Sequence, residues 1–86
     1  MELDPDDLQA VVKRLRRAQG QIGGVLKMID EGRDCADVVT QLAAVSKAVD
    51  RAGFAVIAVG LRRCLADPQS QEADVDSLER LFLSLA

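Results

Sequence analysis

The chain has no histidine, tryptophan or tyrosine, and only two cysteines, two prolines and two phenylalanines in 86 residues. Without histidine, a conventional zinc, nickel or cobalt centre loses its commonest nitrogen ligand, and two thiols alone do not complete one. With Phe54 and Phe82 the sole aromatics, the hydrophobic half of the composition is Ala, Val, Leu and Ile. Such side chains suit helices packed closely on small residues, so an all-α protein is expected. No apolar run approaches the ~20 residues of a membrane span, and the acidic start "MELDPDD" does not read as a signal peptide. A soluble, cytoplasmic protein is expected. In a reducing compartment its two cysteines read as reactive, ligating or buried, not as a permanent bridge. Residues 1–86 form one domain, whose small core makes assembly with further copies an expectation.

Three helices are legible. In "LDPDDLQAVVKRLRRAQGQIGGVLKMID", Asp4 caps, Pro5 opens the first turn, and apolar residues recur at 8, 11, 12, 15, 22, 25, 26 and 29, which predicts a helix over 5–30. Gly20, Gly23 and Gly24 interrupt it at a cost of ~1 kcal/mol each relative to Ala. Close packing on that backbone, or a bend, is therefore expected there. "DEGRD" breaks the pattern, Asp34 caps a second helix, and no proline or turn signal follows until "DP" at 67 and 68. A third helix, over 71–84, is capped by Ser70 and carries Val75, Leu78, Leu81, Phe82 and Leu85 on one face. The second helix would be on the order of 45 Å long, more than the width of a compact chain of this size. It must protrude or pair.

The net charge of −3 averages three unlike segments. Residues 1–12 hold four acids and no base, and residues 64–86 hold five acids and one base, so each end is −4. Between them, ten basic residues face five acidic ones, a balance of +5 that the overall figure conceals. Such a centre reads either as a solvated charged face or as a surface for polyanions.

Cys35 and Cys64 are 29 residues apart, about eight helical turns and 20°, so both lie on one face of the second helix. Within one chain they are on the order of 40 Å apart and cannot bond or share an ion. In an antiparallel pair of identical helices crossing near Val49 and Asp50, Cys35 of one chain falls opposite Cys64 of the other. The same stripe holds Val39, Leu42, Ser46, Val49, Gly53, Val56, Ile57 and Gly60, while Arg51 and Arg62 point away from it. In the first turn, beside the capping Asp34, Cys35 meets free N–H groups that favour a thiolate; Cys64, near the helix C-terminus, suits a resolving thiol. Two buried small hydrophobes remain the plain alternative. Copper(I) or zinc would normally recruit a third or fourth ligand, and the position one turn before Cys64 is Gly60, which offers none, so a two-coordinate Cu(I) site is the metal reading left open.

"RLRRAQGQIGGVLKMIDEGRDCADVVTQLAAVSKAVDR" resembles the CsoR/RcnR family of small all-α transcriptional repressors, and the resemblance extends over nearly the whole chain. Copper sensors of that family place a His four residues before the second Cys, where Gly60 stands here. "QGQ" at 19–21, "DC" at 34–35 and "SK" at 46–47 look instead like the persulfide-sensing CstR branch, which keeps two cysteines and lacks the histidine. The resemblance implies an antiparallel helical-bundle dimer, assembled into a flat homotetramer, a dimer of dimers, that binds operator DNA when reduced. It implies that persulfide or polysulfide donors bridge Cys35 of one protomer to Cys64 of another by a di-, tri- or tetrasulfide and release the DNA. Genes for sulfide detoxification would then be derepressed. Arg14 and Arg51 match the family's DNA-contacting positions, and Lys13, Arg16 and Arg17 extend the patch by proximity. No helix-turn-helix, catalytic residue or cofactor is implied.

Two other readings stand beside this one. A Cu(I)-responsive repressor would use Cys35 and Cys64 as an incomplete ligand set. A small all-α enzyme of the chorismate mutase type would need arginines facing inward, and here they lie opposite the cysteine seam.

Overall fold

The computed structural model describes residues 2–67, 69 and 72–86. A 3-10 turn, Pro5–Leu8, leads into α1, Gln9–Asp30; α2 runs over Cys35–Ala66 and α3 over Glu72–Leu85. No strand occurs among the described residues. Asp4 caps as expected, its carboxylate accepting from the Asp6 N–H at 2.9 Å, but the turn it opens is 3-10, and α-helical geometry starts only at Gln9. At the far end of α1 the break is a Schellman closure. Gly32 takes φ 69°, the left-handed region open to glycine, while the Gly32 N–H donates to the Ile29 carbonyl (3.1 Å) and the Arg33 N–H to that of Met28 (3.0 Å). Asp34 then starts α2, accepting from the Ala36 N–H at 3.2 Å. Ser70, the expected cap of α3, lies outside the described residues.

α1 folds back on α2 along a seam of residues spaced by seven. Val11, Ala18 and Val25 of α1 and Val45 and Ala52 of α2 are all buried. A seven-residue interval returns to within about 20° of the same helix face, so one narrow line of side chains makes the contact. Ala at the middle of each line lets the two backbones approach. The third helix covers only the C-terminal half of α2. Leu78 is buried between them, the Phe54 and Phe82 rings meet at 5.1 Å and 58°, and a side chain at Gly53 would start 2.8 Å from Leu85 Cδ1.

The result is long and thin, 55 × 25 × 12 Å, with a radius of gyration of 16.6 Å. A compact chain of this length would have a radius near ~12 Å. At 12 Å the protein is about one helix thick. Stable domains bury a second layer, and here α3 covers only the C-terminal half of α2 and leaves the rest of the helix pair open. On that open part Leu15, Ile22, Leu26, Ile29, Val39, Leu42 and Val49 are 44 to 60% exposed.

The apolar pattern of α1 divides, and one expectation changes. Val11 and Val25 of that pattern are buried with Ala18 between them, while Leu15, Ile22, Leu26 and Ile29 stay exposed. Nothing lies within 4 Å of where side chains would project at Gly20, Gly23 and Gly24, so the close packing expected there is absent among the described residues. These glycines sit within an uninterrupted α1.

Candidate nucleic-acid interface and sensor thiols

Cys35 is the first residue of α2 and is exposed. Its surroundings are polar: Asp34 caps the helix, and Arg33 pairs with Asp37 at 3.4 Å across the same turn. Cys64, one turn from the other end, is 6% exposed. It lies in the half of α2 that α3 and the N-terminal turn pack against, next to Arg63, whose Nη1 is 3.7 Å from Asp7 Oδ2. The two thiols are not bridged within the chain. Their shared face is unequally available. From Cys35 to Val49 the stripe is bare; from Gly53 onward, Gly53 meets Leu85, and Ile57 lines a groove with Val75, Leu78 and Phe82. The expectation of one continuous stripe from Val39 to Gly60 is therefore corrected, because α3 of the same chain takes its second half.

Among the described residues no cluster of three or more His, Cys, Asp or Glu side chains is placed to hold a metal within one chain. One turn before Cys64, where a ligand on the same helix face would stand, is Gly60, which is buried and has no side-chain donor. Two thiolates at opposite ends of a 32-residue helix do not make a site within one chain. A soft ion such as Cu(I) would require thiolates from two chains.

The opposite broad side of the helix pair is cationic. Arg14 and Arg17, one turn apart on α1, line an open cleft with Ala48 and Arg51 of α2. None of these arginines has an ion pair among the described residues; the pairs present are Lys27–Glu31, Arg33–Asp37 and Arg63–Asp7. The structure thus brings Arg14, Arg17 and Arg51 together. Lys13 and Arg16, about 160° and 140° around α1 from the buried Val11, are on its outer side and do not line the cleft. Arg17, named in sequence only as a neighbour of Arg14, is a full member, and the three-residue interval between the two is the signal. The Asp7–Arg63 contact had no local signal, since it joins residues 56 positions apart.

A model of the metal-sensitive transcriptional repressor family matches residues 7–84. The chain belongs to that family. Among relatives of this repressor family member, the copper-sensing transcriptional repressor RicR of Mycobacterium tuberculosis is 40% identical over 53 residues, covering 62% of this chain and 55% of RicR. The copper-sensing transcriptional repressor CsoR of Bacillus subtilis is 30% identical over 57 residues, covering 66% of this chain and 56% of that one. An uncharacterized protein encoded in the bioA 5′ region of Serratia marcescens is 32% identical over 82 residues, 91% and 90% of the two chains. The chain spans about half the length of the copper-sensing relatives it matches. Membership agrees with the non-enzymatic reading and with the CsoR/RcnR resemblance; the relatives named for a signal are named for copper. No helix among the described residues is long and apolar enough to cross a membrane.

Proposed function

We propose that this family member is a DNA-binding repressor that meets the phosphate backbone with its Arg14, Arg17 and Arg51 face and is released by thiol chemistry at Cys35 and Cys64. One observation carries the DNA reading: three guanidinium groups from two helices converge on one open cleft, and none of them is paired to a carboxylate among the described residues. Guanidinium forks match phosphate oxygens, and neutralising phosphates releases counterions, so binding falls steeply with salt. The bare apolar face supports assembly: a second copy placed antiparallel across it supplies the missing layer and carries Cys35 of one protomer toward Cys64 of the other. Two such dimers side by side, with their cationic faces left free, give the flat tetramer that the family resemblance implies.

Two signals fit a bare thiol pair. Cu(I) is favoured by the copper-sensing relatives, and two thiolates alone bind it in linear geometry. Reactive sulfur is favoured by Gly60, which leaves the pair without a third ligand. In that chemistry the exposed Cys35 thiolate attacks the outer sulfur of glutathione persulfide, expelling glutathione thiolate. The Cys64 thiolate of the partner protomer then attacks the Cys35 persulfide, forming a disulfide and expelling hydrosulfide; the cysteines are oxidised and the transferred sulfur is reduced. DNA binding and intact mass are measured on the same samples after Cu(I) and after glutathione persulfide. Release with Cu(I) alone and no covalent dimer selects copper; release with persulfide and a sulfur-bridged dimer selects reactive sulfur. Release by neither refutes the thiol pair as sensor.

A further inference from the structure

Arg62 has no role in the reading so far. It is exposed, lines an open cleft with Asp7, Val59, Arg63 and Ala66, and has no ion pair among the described residues. It stands eleven residues beyond Arg51, about three turns and 20°, and so projects from the same side of α2 about 16 Å further along. Between them on that side are Ala55 and Ala58, side chains too small to hold a phosphate strand away. The neighbouring Arg63 differs. It turns about 100° away and is held by Asp7 at 3.7 Å, a carboxylate that lowers its appeal to a second anion. Of the two adjacent arginines, one is neutralised by the N-terminal turn and one is left open on the Arg51 side.

We propose that Arg62 is a further phosphate-contacting residue, extending the cationic track of Arg14, Arg17 and Arg51 along α2 toward its C-terminal end, with the Asp7–Arg63 pair marking where the track stops. A separation of about 16 Å spans roughly five base-pair steps at 3.4 Å of rise where the track runs along the duplex axis, and fewer phosphates where it follows one strand, so a duplex several turns long presents phosphates to both residues. The inference rests on the DNA-face reading, and the test separates the two. Binding of the full reduced chain to a mixed-sequence duplex several helical turns long is measured against salt concentration for the unaltered protein, Arg51→Ala, Arg62→Ala, Arg62→Lys and Arg80→Ala, the last removing a cation from α3.

Arg62→Ala is expected to lower the slope of log affinity against log salt by about one for each chain in contact, as Arg51→Ala does. Arg62→Lys keeps most of the slope, and Arg80→Ala leaves it unchanged. If Arg51→Ala lowers the slope while Arg62→Ala does not, the track ends at Arg51 and the inference is wrong. If Arg51→Ala has no effect either, the DNA face itself is misplaced. An equal fall with Arg80→Ala means that net charge and not position is read, and this also overturns the assignment. Sedimentation of each variant shows whether assembly is kept, and Arg62→Gln replaces Arg62→Ala where it is not.

Discussion

The two halves of α2 carry the same residue pattern and meet opposite fates. From Cys35 to Val49 the stripe of Val39, Leu42 and Val49 is open, and the thiol at its end is exposed. From Gly53 to Cys64 the continuation of that stripe is taken up by α3, and the thiol at that end is buried. Burial therefore follows from what the rest of the chain can reach, not from the helix's own periodicity. The first half needs a partner from outside; the second has one built in. The same division separates the thiols into one that a solute meets directly and one that it meets only after something moves.

The largest effect is expected where the bare half is made unable to pair. Val49→Glu puts a charge at the inner end of the open stripe, where the antiparallel helices would cross, and an uncompensated charge buried at an interface costs about 3–5 kcal/mol. Sedimentation should show monomer in place of oligomer, with DNA binding lost in parallel. Unchanged assembly would mean that another face joins the copies. Next, Leu78→Ala opens a cavity in the covered half, with an expected loss of about 2–4 kcal/mol measured by chemical denaturation. In that variant Cys64 should react with iodoacetamide faster than in the unaltered chain while Cys35 keeps its rate. Equal rates for the two thiols before any substitution would remove the asymmetry altogether.

Gly53→Ala tests the border between the halves. Its new methyl starts 2.8 Å from Leu85 Cδ1, the end of a side chain that can swing aside, and alanine raises helix propensity by about 1 kcal/mol. The two effects oppose, so thermal unfolding should shift by no more than a few degrees; a bulkier Gly53→Leu should displace α3 outright. The smallest change is Asp7→Asn. The ion pair it removes is half-exposed on both sides, so stability should move by less than about 0.5 kcal/mol. DNA affinity should nonetheless rise a few-fold at low salt, because Arg63 is no longer neutralised.

Secondary structure was legible in the sequence because its signals are local. Asp4, Gly32 and Asp34 all act where the pattern puts them, and the uninterrupted second helix reads directly from the lack of proline or turn residues before 67. The core was less legible. Hydrophobic periodicity points to Val11 and Val25, which are buried, and equally to Leu15, Ile22, Leu26 and Ile29, which are not; the helix pair closes on Ala18 and Ala52, since small residues permit the nearest backbone approach and leave the larger ones outside. The arginine face was half legible: Arg14, Arg17 and Arg51 could be named together with Lys13 and Arg16, and spacing sets Arg14 and Arg17 one turn apart, but their meeting with Arg51 across two helices is a tertiary contact. The thiols could be placed on one helix face by arithmetic. That one of them would be buried depends on contacts between distant parts of the chain, to which helical spacing is blind.

The 12 Å thickness of the protein has a consequence for control of its abundance. A slab one helix thick has little interior of its own, so whatever seals its open face contributes to folding as well as to shape. Folding linked to association depends on concentration: the folded fraction rises with the number of chains present. Dilution, as when a cell grows without making more repressor, would then weaken the folded state and the DNA complex together. On the proposed reading, copy number becomes a second input to the switch, acting through the same bare surface by which two copies would bring Cys35 and Cys64 together.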